Sequence, residues 1–367
     1  MPYPIFDRRE IALKPLAERV HDMSIADLLQ PDSKPPKIPN DKLNTIQKIA
    51  DRIKQAKANQ KSVIISYGAH LIKNGLGLVL NELIKAGWIT TLATNGAGTI
   101  HDWELAFFGK STESVERYVG EGQFGIWDET GRYMNLALVL GAAEGKGYGE
   151  SLGEMIASEK LLIPSHNSLT EELQRDLKTN LMAQDTFGAR AELLAYLKKN
   201  NLKPGVIDLP HPHKNFSVLW TAFVNRIPLC IMPGIGYDII FTHYFNNGAA
   251  VGQTALRDFL TFTQAQLNLD DGVYISIGSA IMSPMTFEKA RSMARNIARQ
   301  EKRSLDDTLI IVNDIQPAGE DWKIEPTKES PAYYLRFLKT FRRMHGQFAY
   351  VELDNRQFLL NLVQFLK

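Results

Sequence analysis

From Asp41 onward, apolar residues recur at helical spacing. Leu43, Ile46, Ile49 and Ile53 fall on one face with Lys, Arg, Asp and Gln opposite, which predicts an amphipathic surface helix of roughly five turns. A β-rich run over 62–67 ends at Gly68 and predicts a strand. Leu71, Ile72, Leu76, Val79, Leu80 and Leu83 mark a second helix closed by Gly87, and 88–93 reads as the next strand. This strand–helix–strand unit is compact enough for a right-handed crossover between parallel strands. Further strands are predicted at 205–209, 228–232, 272–277, 308–313 and 347–353. Helical patterns surround them: a stripe of Leu169, Leu173, Leu177 and Leu181, then 190–200, 217–225, 250–266, 285–300 and 332–345. Residues 110–153 are dense in glycine and read as an insertion or flexible excursion, with the role of 141–153 left open. Seven short strands alternating with helices predict an α/β fold, an open, mostly parallel sheet with helices on both faces. No linker divides the chain after residue 40, so 41–367 is expected to form a single α/β domain. Seven prolines between Pro2 and Pro39 break up residues 1–40, which read as an N-terminal arm lying on the body or on a neighbouring subunit, or as a solvated tail.

Composition narrows the function. The 42 basic and 41 acidic side chains leave a formal net charge of +1, so no global field favours nucleic acid or an anionic membrane surface. A lone cysteine, Cys230, excludes an internal disulfide framework and any multi-cysteine metal cluster. The opening residues lack a basic start followed by an apolar core, and no run approaches a membrane span. A soluble cytoplasmic protein is expected.

In open parallel sheets ligands bind beyond the carboxyl ends of the strands. The turns predicted there are Ser66–Tyr67–Gly68–Ala69–His70, Thr94–Asn95–Gly96–Ala97–Gly98, Pro233–Gly234–Ile235–Gly236–Tyr237–Asp238, Gly278–Ser279–Ala280 and Asn313–Asp314. Their glycines permit close backbone approach and suit a nucleotide-like ligand. No Gly-x-Gly-x-x-Gly is expected between a strand and a helix, and neither a P-loop nor a nucleophile elbow is expected. Two histidine clusters, His101–Asp102–Trp103–Glu104 and Asp208 with His211 and His213, open a metal reading. Helix-end charge and loop hydrogen bonding account for the same residues, and no metal is expected.

The order of these motifs resembles the deoxyhypusine synthase family. The block Asn215–His243, with Gly234–Ile235–Gly236–Tyr237–Asp238 inside it, is similar to that family's helix–strand–loop segment. Ala69–His70–Leu71–Ile72–Lys73–Asn74–Gly75 looks like its first cofactor loop, with His70 where asparagine is usual. Thr94–Gly98 looks like its second cofactor loop, with Asp102 and Glu104 following. Gly278–Ser279–Ala280 stands where the family has three glycines. The resemblance spans about residues 40–330, discontinuously. It implies a Rossmann-like NAD-binding fold, a homotetramer with sites between subunits, and an amine or polyamine substrate. The implied cofactor contacts are Gly68, His70, Asn74, Thr94, Asn95, Gly96, Glu104, Gly234, Gly278, Ser279, Asn313 and Asp314. Asp238 would grip a cationic substrate, and His243 or His101 would move protons.

One departure stands out. Ser283 occupies the position of the family's reactive lysine, with Pro284 and Met285 in place of its histidines, and serine forms no imine. Lys289 lies about 9 Å further along a helix at ~1.5 Å per residue, so standard aminobutyl transfer is in doubt. Similar loops occur in a domain resembling that of ornithine cyclodeaminase. The leading expectation is thus an NAD-binding enzyme acting on a small-molecule amine. A catalytically inactive NAD-binding homologue is the alternative, and a metal-dependent hydrolase using His101, Glu104, Asp208, His211 and His213 is a third reading. Entry of Lys73, Lys146 or Lys214 from a neighbouring subunit stays open.

Overall fold

The computed structural model describes residues 3–179, 185–319, 321–322 and 324–367. The arm contributes the short strand β1 (Met23–Ser24), with two 3-10 turns before it and one after, ahead of helix α1 (Asn40–Ala58). Then come β2 (Val63–Tyr67), α2 (His70–Lys73), α3 (Gly77–Lys85), β3 (Thr91–Thr94), α4 (Gly96–Phe108) and β4 (Lys110–Ser111). Helices α5 (Val115–Gly120), α6 (Asp128–Ala143) and α7 (Tyr148–Ser158) precede β5 (Lys160–Ile163), α8 (His166–Lys178), α9 (Asp185–Lys199) and β6 (Gly205–Asp208). The remainder is α10 (Val218–Val224), β7 (Leu229–Ile231), α11 (Gly248–Gln266), β8 (Val273–Ile277), α12 (Met282–Gln300), β9 (Leu309–Asp314), α13 (Arg336–Arg342), β10 (Gln347–Glu352) and α14 (Asn355–Leu366).

Six strands form one sheet in the order β10-β9-β8-β2-β3-β7, and every pairing is parallel. Counted along the chain within this sheet, the order is 6-5-4-1-2-3, that of the doubly wound dinucleotide-binding folds. Alternate strand residues serve opposite faces. Val63, Ile65, Val273, Ile275 and Ile311 join the core with α1, α3, α10 and α14, whereas Ile64, Tyr274, Ile310 and Val312 pack with Phe262 of α11, Phe287 of α12 and Phe341 of α13. Both faces are therefore apolar, as a covered parallel sheet requires. Among the described residues no helix is long and apolar enough to cross a membrane.

Three expectations need correction. The strand predicted at 205–209 does not enter the main sheet, because β6 pairs antiparallel with β5 in a separate ribbon. The helix predicted from Leu71 to Gly87 is broken at Gly75, whose positive φ of 78° ends α2. A Cβ there would meet Asp27 O at 2.5 Å, since the arm crosses at that point. The glycine-rich 110–153 segment is no flexible excursion. It supplies the buried helices α6 and α7, and the glycines of these helices are contact points. A Cβ on Gly141 would strike Ser151, one on Gly149 would lie 1.8 Å from Leu229 O, and one on Gly153 would meet Phe223 and Leu219 O. The end of the predicted leucine stripe, Leu181, lies outside the described residues.

Within residues 3–39 the arm touches the body at several points. Leu16 is buried, β1 pairs with β4, and Leu29 N donates to Gly75 O.

Candidate functional site

All six strands run the same way, so the turns that follow β2, β3, β7, β8 and β9 lie along one edge of the sheet. The strand order reverses between β2 and β8. At that switch point a Cβ on Gly68 would sit 2.2 Å from Gly278 O, and Gly278 itself has a φ of 54°. At Gly68 this approach leaves no room for a side chain, and at Gly278 the left-handed backbone favours glycine, which suits close approach of a ligand at a strand-end cradle. Asn313, at the end of β9, donates to Val351 O and Leu353 O, while its buried Oδ1 has no partner. The end of β9 therefore keeps one acceptor unused among the described residues, and Gly68, Gly278 and Asn313 are the groups a ligand at this edge would meet.

A cavity of about 160 Å³ opens beside this edge. Its lining includes Lys73 of α2, Ala97 and His101 of α4, Asp238, Glu113 and Arg19. The Asp238 carboxylate reaches across to the start of α4 and takes hydrogen bonds from Gly234 N, at 3.3 Å, and from Ala97 N. Gly96 has no side chain because a Cβ would lie 2.2 Å from Asp238 Oδ2. Burial pushes the Asp238 carboxyl up to about 6, against those two backbone donors. The helix start that was expected to hold phosphate is thus filled by an internal carboxylate.

His101 is set by a hydrogen-bond chain. Ser111 Oγ donates to Glu104 Oε2 at 2.7 Å, so it accepts from His101 Nδ1 at 2.9 Å. That leaves the His101 Nε2 lone pair free. Burial pushes His101 down to about 4, although Glu104 opposes this, so the ring is neutral at physiological pH.

Glu104 is fully buried and committed. It accepts from Arg19 Nη1 at 2.9 Å and Nη2 at 2.5 Å, from Thr130 Oγ1 at 2.9 Å, and from Ser111. Burial alone would raise its carboxyl, but the Arg19 guanidinium and the hydrogen bonds hold it below the usual range. The expected cofactor contact at Glu104 is therefore corrected, because its acceptor sites are filled from within the chain. Glu113 lies 3.9 Å from the same guanidinium, takes the Trp127 Nε1 hydrogen, and is raised by burial. Sequence reasoning missed Arg19 and Glu113. Nothing local marks either residue, since their partners are brought together only by the fold.

His243 is likewise corrected. Its Nδ1 accepts from Phe245 N at 3.0 Å and its Nε2 faces Asp128 Oδ1 at 3.2 Å, while its ring packs on Gly131 and Tyr244. Both nitrogens are spent on packing, and the residue does not line the cavity with Asp238. Asp102 holds α10 by accepting from Ser217 Oγ, Val218 N and Leu219 N.

Other predicted contacts have internal partners too. Asn74 donates to Asn355 Oδ1, Thr94 donates to Tyr67 O, and Asn95 caps α4 through Gly98 N. Ser279 accepts from Ser283 N, and Asp314 accepts from Gln316 N. His70 is exposed at the start of α2, and Gly234 packs against the Tyr237 ring. Ser283 is fully buried with its Oγ 2.7 Å from Tyr274 OH, beneath the sheet edge. Lys289 pairs with Glu288 on the surface of α12.

Among the described residues no group of three or more His, Cys, Asp or Glu side chains converges to hold a metal ion. His211 packs against Trp103 and Phe107, His213 lies against Gly109, and Asp208 is exposed on the β6 ribbon, so the proposed hydrolase set is not assembled.

Two motif spacings were passed over in the sequence. Gly120-Glu-Gly-Gln-Phe-Gly125 starts at the last residue of helix α5 and has no strand immediately before it, and Gly149-Glu-Ser-Leu-Gly153 lies within α7, where Ser151 Oγ donates to Gly147 O. Neither has the strand-to-helix context its chemistry requires. A larger cavity, about 950 Å³, lies by the amino end of β7 and is lined by Leu219, Phe223, Leu229, Arg257 and Asp258. None of the predicted site residues lines it.

No family model and no curated protein matches the chain. Among solved structures it is similar to ArgZ, an arginine dihydrolase from the ornithine–ammonia cycle in cyanobacteria, at 14% identity and a TM-score of 0.42, over 88% of this chain and 32% of that one. It is also similar to a putative LOR/SDH protein from Methanococcus maripaludis S2, at 13% identity and a TM-score of 0.45, over 92% of this chain and 73% of that one. A third likeness is to AgrE in complex with ornithine and NAD+, at 12% identity and a TM-score of 0.44, over 90% of this chain and 34% of that one. The chain spans about a third of the length of ArgZ and AgrE. Likeness this distant carries no activity across.

Proposed function

We propose that this chain binds NAD across the carboxyl edge of its sheet and acts on a small-molecule amine held in the adjoining cavity. The observation that supports this most is the strand order, whose switch point brings Gly68 and Gly278 into backbone contact beside the Asp238 cavity. Gly68, Gly278 and Asn313 would hold the dinucleotide, which when bound supplies a hydride acceptor. Asp238 would receive the substrate ammonium. Its two backbone donors occupy two of about four carboxylate lone-pair sites, leaving acceptor capacity toward the cavity. His101, neutral and oriented through Ser111, would accept a proton at Nε2. By its sequence resemblance the enzyme would be a deoxyhypusine synthase-like tetramer. With Ser283 buried against Tyr274, the lysine-imine route has no side chain at that position. The same burial favours a second reading, an NAD-binding homologue without catalysis.

Mass spectrometry of the denatured protein should reveal co-purified NAD, and added NAD should raise the melting temperature. Reduction of NAD on addition of spermidine, putrescine or ornithine separates enzyme from binder. Asp238→Asn should weaken amine binding about tenfold or more while leaving NAD binding nearly unchanged. Failure of NAD to shift melting would refute the dinucleotide site. Unchanged amine affinity in the variant would refute the role of Asp238.

A further inference from the structure

The amino edge of the sheet, opposite the candidate active site, carries a separate cavity of about 340 Å³. One wall is a stripe of α12 bearing Arg291, Ser292, Arg295 and Arg299 at helical spacing, and the other is the turn between α13 and β10 with Arg343 and His345. Arg291 is 1% exposed. Its Nη2 donates to Leu305 O and, at 2.8 Å, to Thr308 Oγ1, both just before β9, yet its Nε and Nη1 have no hydrogen-bond partner among the described residues. The Arg295 Nε is also unpartnered, although Arg295 pairs elsewhere with Asp306. Arg299 is exposed at the rim, with no ion-pair partner among the described residues. None of the nearby acids hydrogen-bonds the unused Arg291 donors. Glu288 pairs with Lys289, Glu325 pairs with Arg343, and Asp270 accepts from Asp307 N.

A buried guanidinium with two unused donors is costly, and Asp270 acts on Arg291 only through its charge, without a hydrogen bond, so the donors are left to a ligand. Converging arginine forks fit tetrahedral oxyanions, which accept several charge-assisted hydrogen bonds at once. We infer that this amino-edge cavity binds a phosphate group of a small molecule, with Arg291 and Arg295 at its floor and Arg299 and Arg343 at its rim. The site is independent of the proposed dinucleotide cradle, which lies at the other ends of the same strands.

The test is calorimetric titration of the full-length protein with inorganic phosphate, pyrophosphate and glycerol phosphate at low chloride, with hydrogen exchange to locate the protection. Binding is expected to protect 288–305 and 340–347, and to persist when NAD is present in excess. Arg299→Gln and Arg295→Gln should each weaken it about tenfold. Both variants are partly exposed and should fold, whereas Arg291→Leu risks misfolding and is not decisive. Tighter binding of glycerol phosphate than of inorganic phosphate would assign the site to an ester, and the reverse to the free anion. The inference is overturned if none of the three probes binds in the millimolar range. It is overturned equally if both variants bind as the wild type does, or if excess NAD abolishes binding.

Discussion

Replacing Arg19 with methionine isolates the interaction that fastens the arm to the site. Arg19 and Glu104 are 2% and 0% exposed in their side chains and share two hydrogen bonds, so solvent screens little of the pairing. Methionine keeps most of the aliphatic volume but strands the Glu104 carboxylate in the core. Breaking a buried pair from one side costs about 3–5 kcal/mol. With an unfolding entropy near 2.1 cal/mol/K per residue, a chain of 367 residues should lose roughly 4–6 °C in melting temperature. The pH dependence has a definite sign. Glu104 is held below its ordinary value in the fold, so the pair stabilises above the usual carboxylate range and that stabilisation is lost as pH falls through the lowered value. The deficit of Arg19→Met should therefore be largest near neutrality and shrink in acid, where Glu104 protonates. Adding Glu104→Gln removes the stranded charge and should restore part of the loss. Scanning calorimetry of the wild type, both single variants and the double variant at several pH values would decide. A loss below about 1 °C for Arg19→Met, or a double variant less stable than Arg19→Met, would refute the reasoning.

Asp258 makes the opposite case. Burial pushes it up to about 7, although it accepts from Gly149 N and Ile231 N, so its ionisation costs the folded state stability as pH rises from about 4 to about 7. Tyr148 N donates to Asp258 as well; Asp258→Asn retains an acceptor for the Gly149 and Ile231 amides, which share one oxygen, and should gain on the wild type as pH rises from about 5 to about 8. Parallel pH profiles of the two melting temperatures would contradict this. Gly68→Ala should lower stability and abolish NAD-induced stabilisation, because its Cβ would meet Gly278 O at 2.2 Å. Wild-type melting with intact NAD response would show that the switch-point contact is not built this way.

Much of the sheet was legible in advance because both-face burial leaves an unmistakable run of β-branched and aliphatic residues, as in Val63–Tyr67 and Val273–Ile277. The turns that end these strands were legible for the same reason. Residues 110–153 were misread because glycine disfavours an isolated helix, whereas in α6 and α7 close approach to Ser151, Leu229 and Leu219 favours its missing side chain. The β6 ribbon was misread because a short apolar run does not say which strand will pair with it.

The sequence by itself determined the alternation of strands and helices, the near-neutral charge and the polar turns at successive strand ends, since these follow from local periodicity and composition. The tertiary structure alone decided what those side chains do. It placed Arg19 against Glu104 across 85 residues, turned His243 into the packing against α6, and set Asp238 over the start of α4. Pairings at that separation depend on where the chain returns, and burial then decides which carboxylate is held ionised and which is pushed toward protonation.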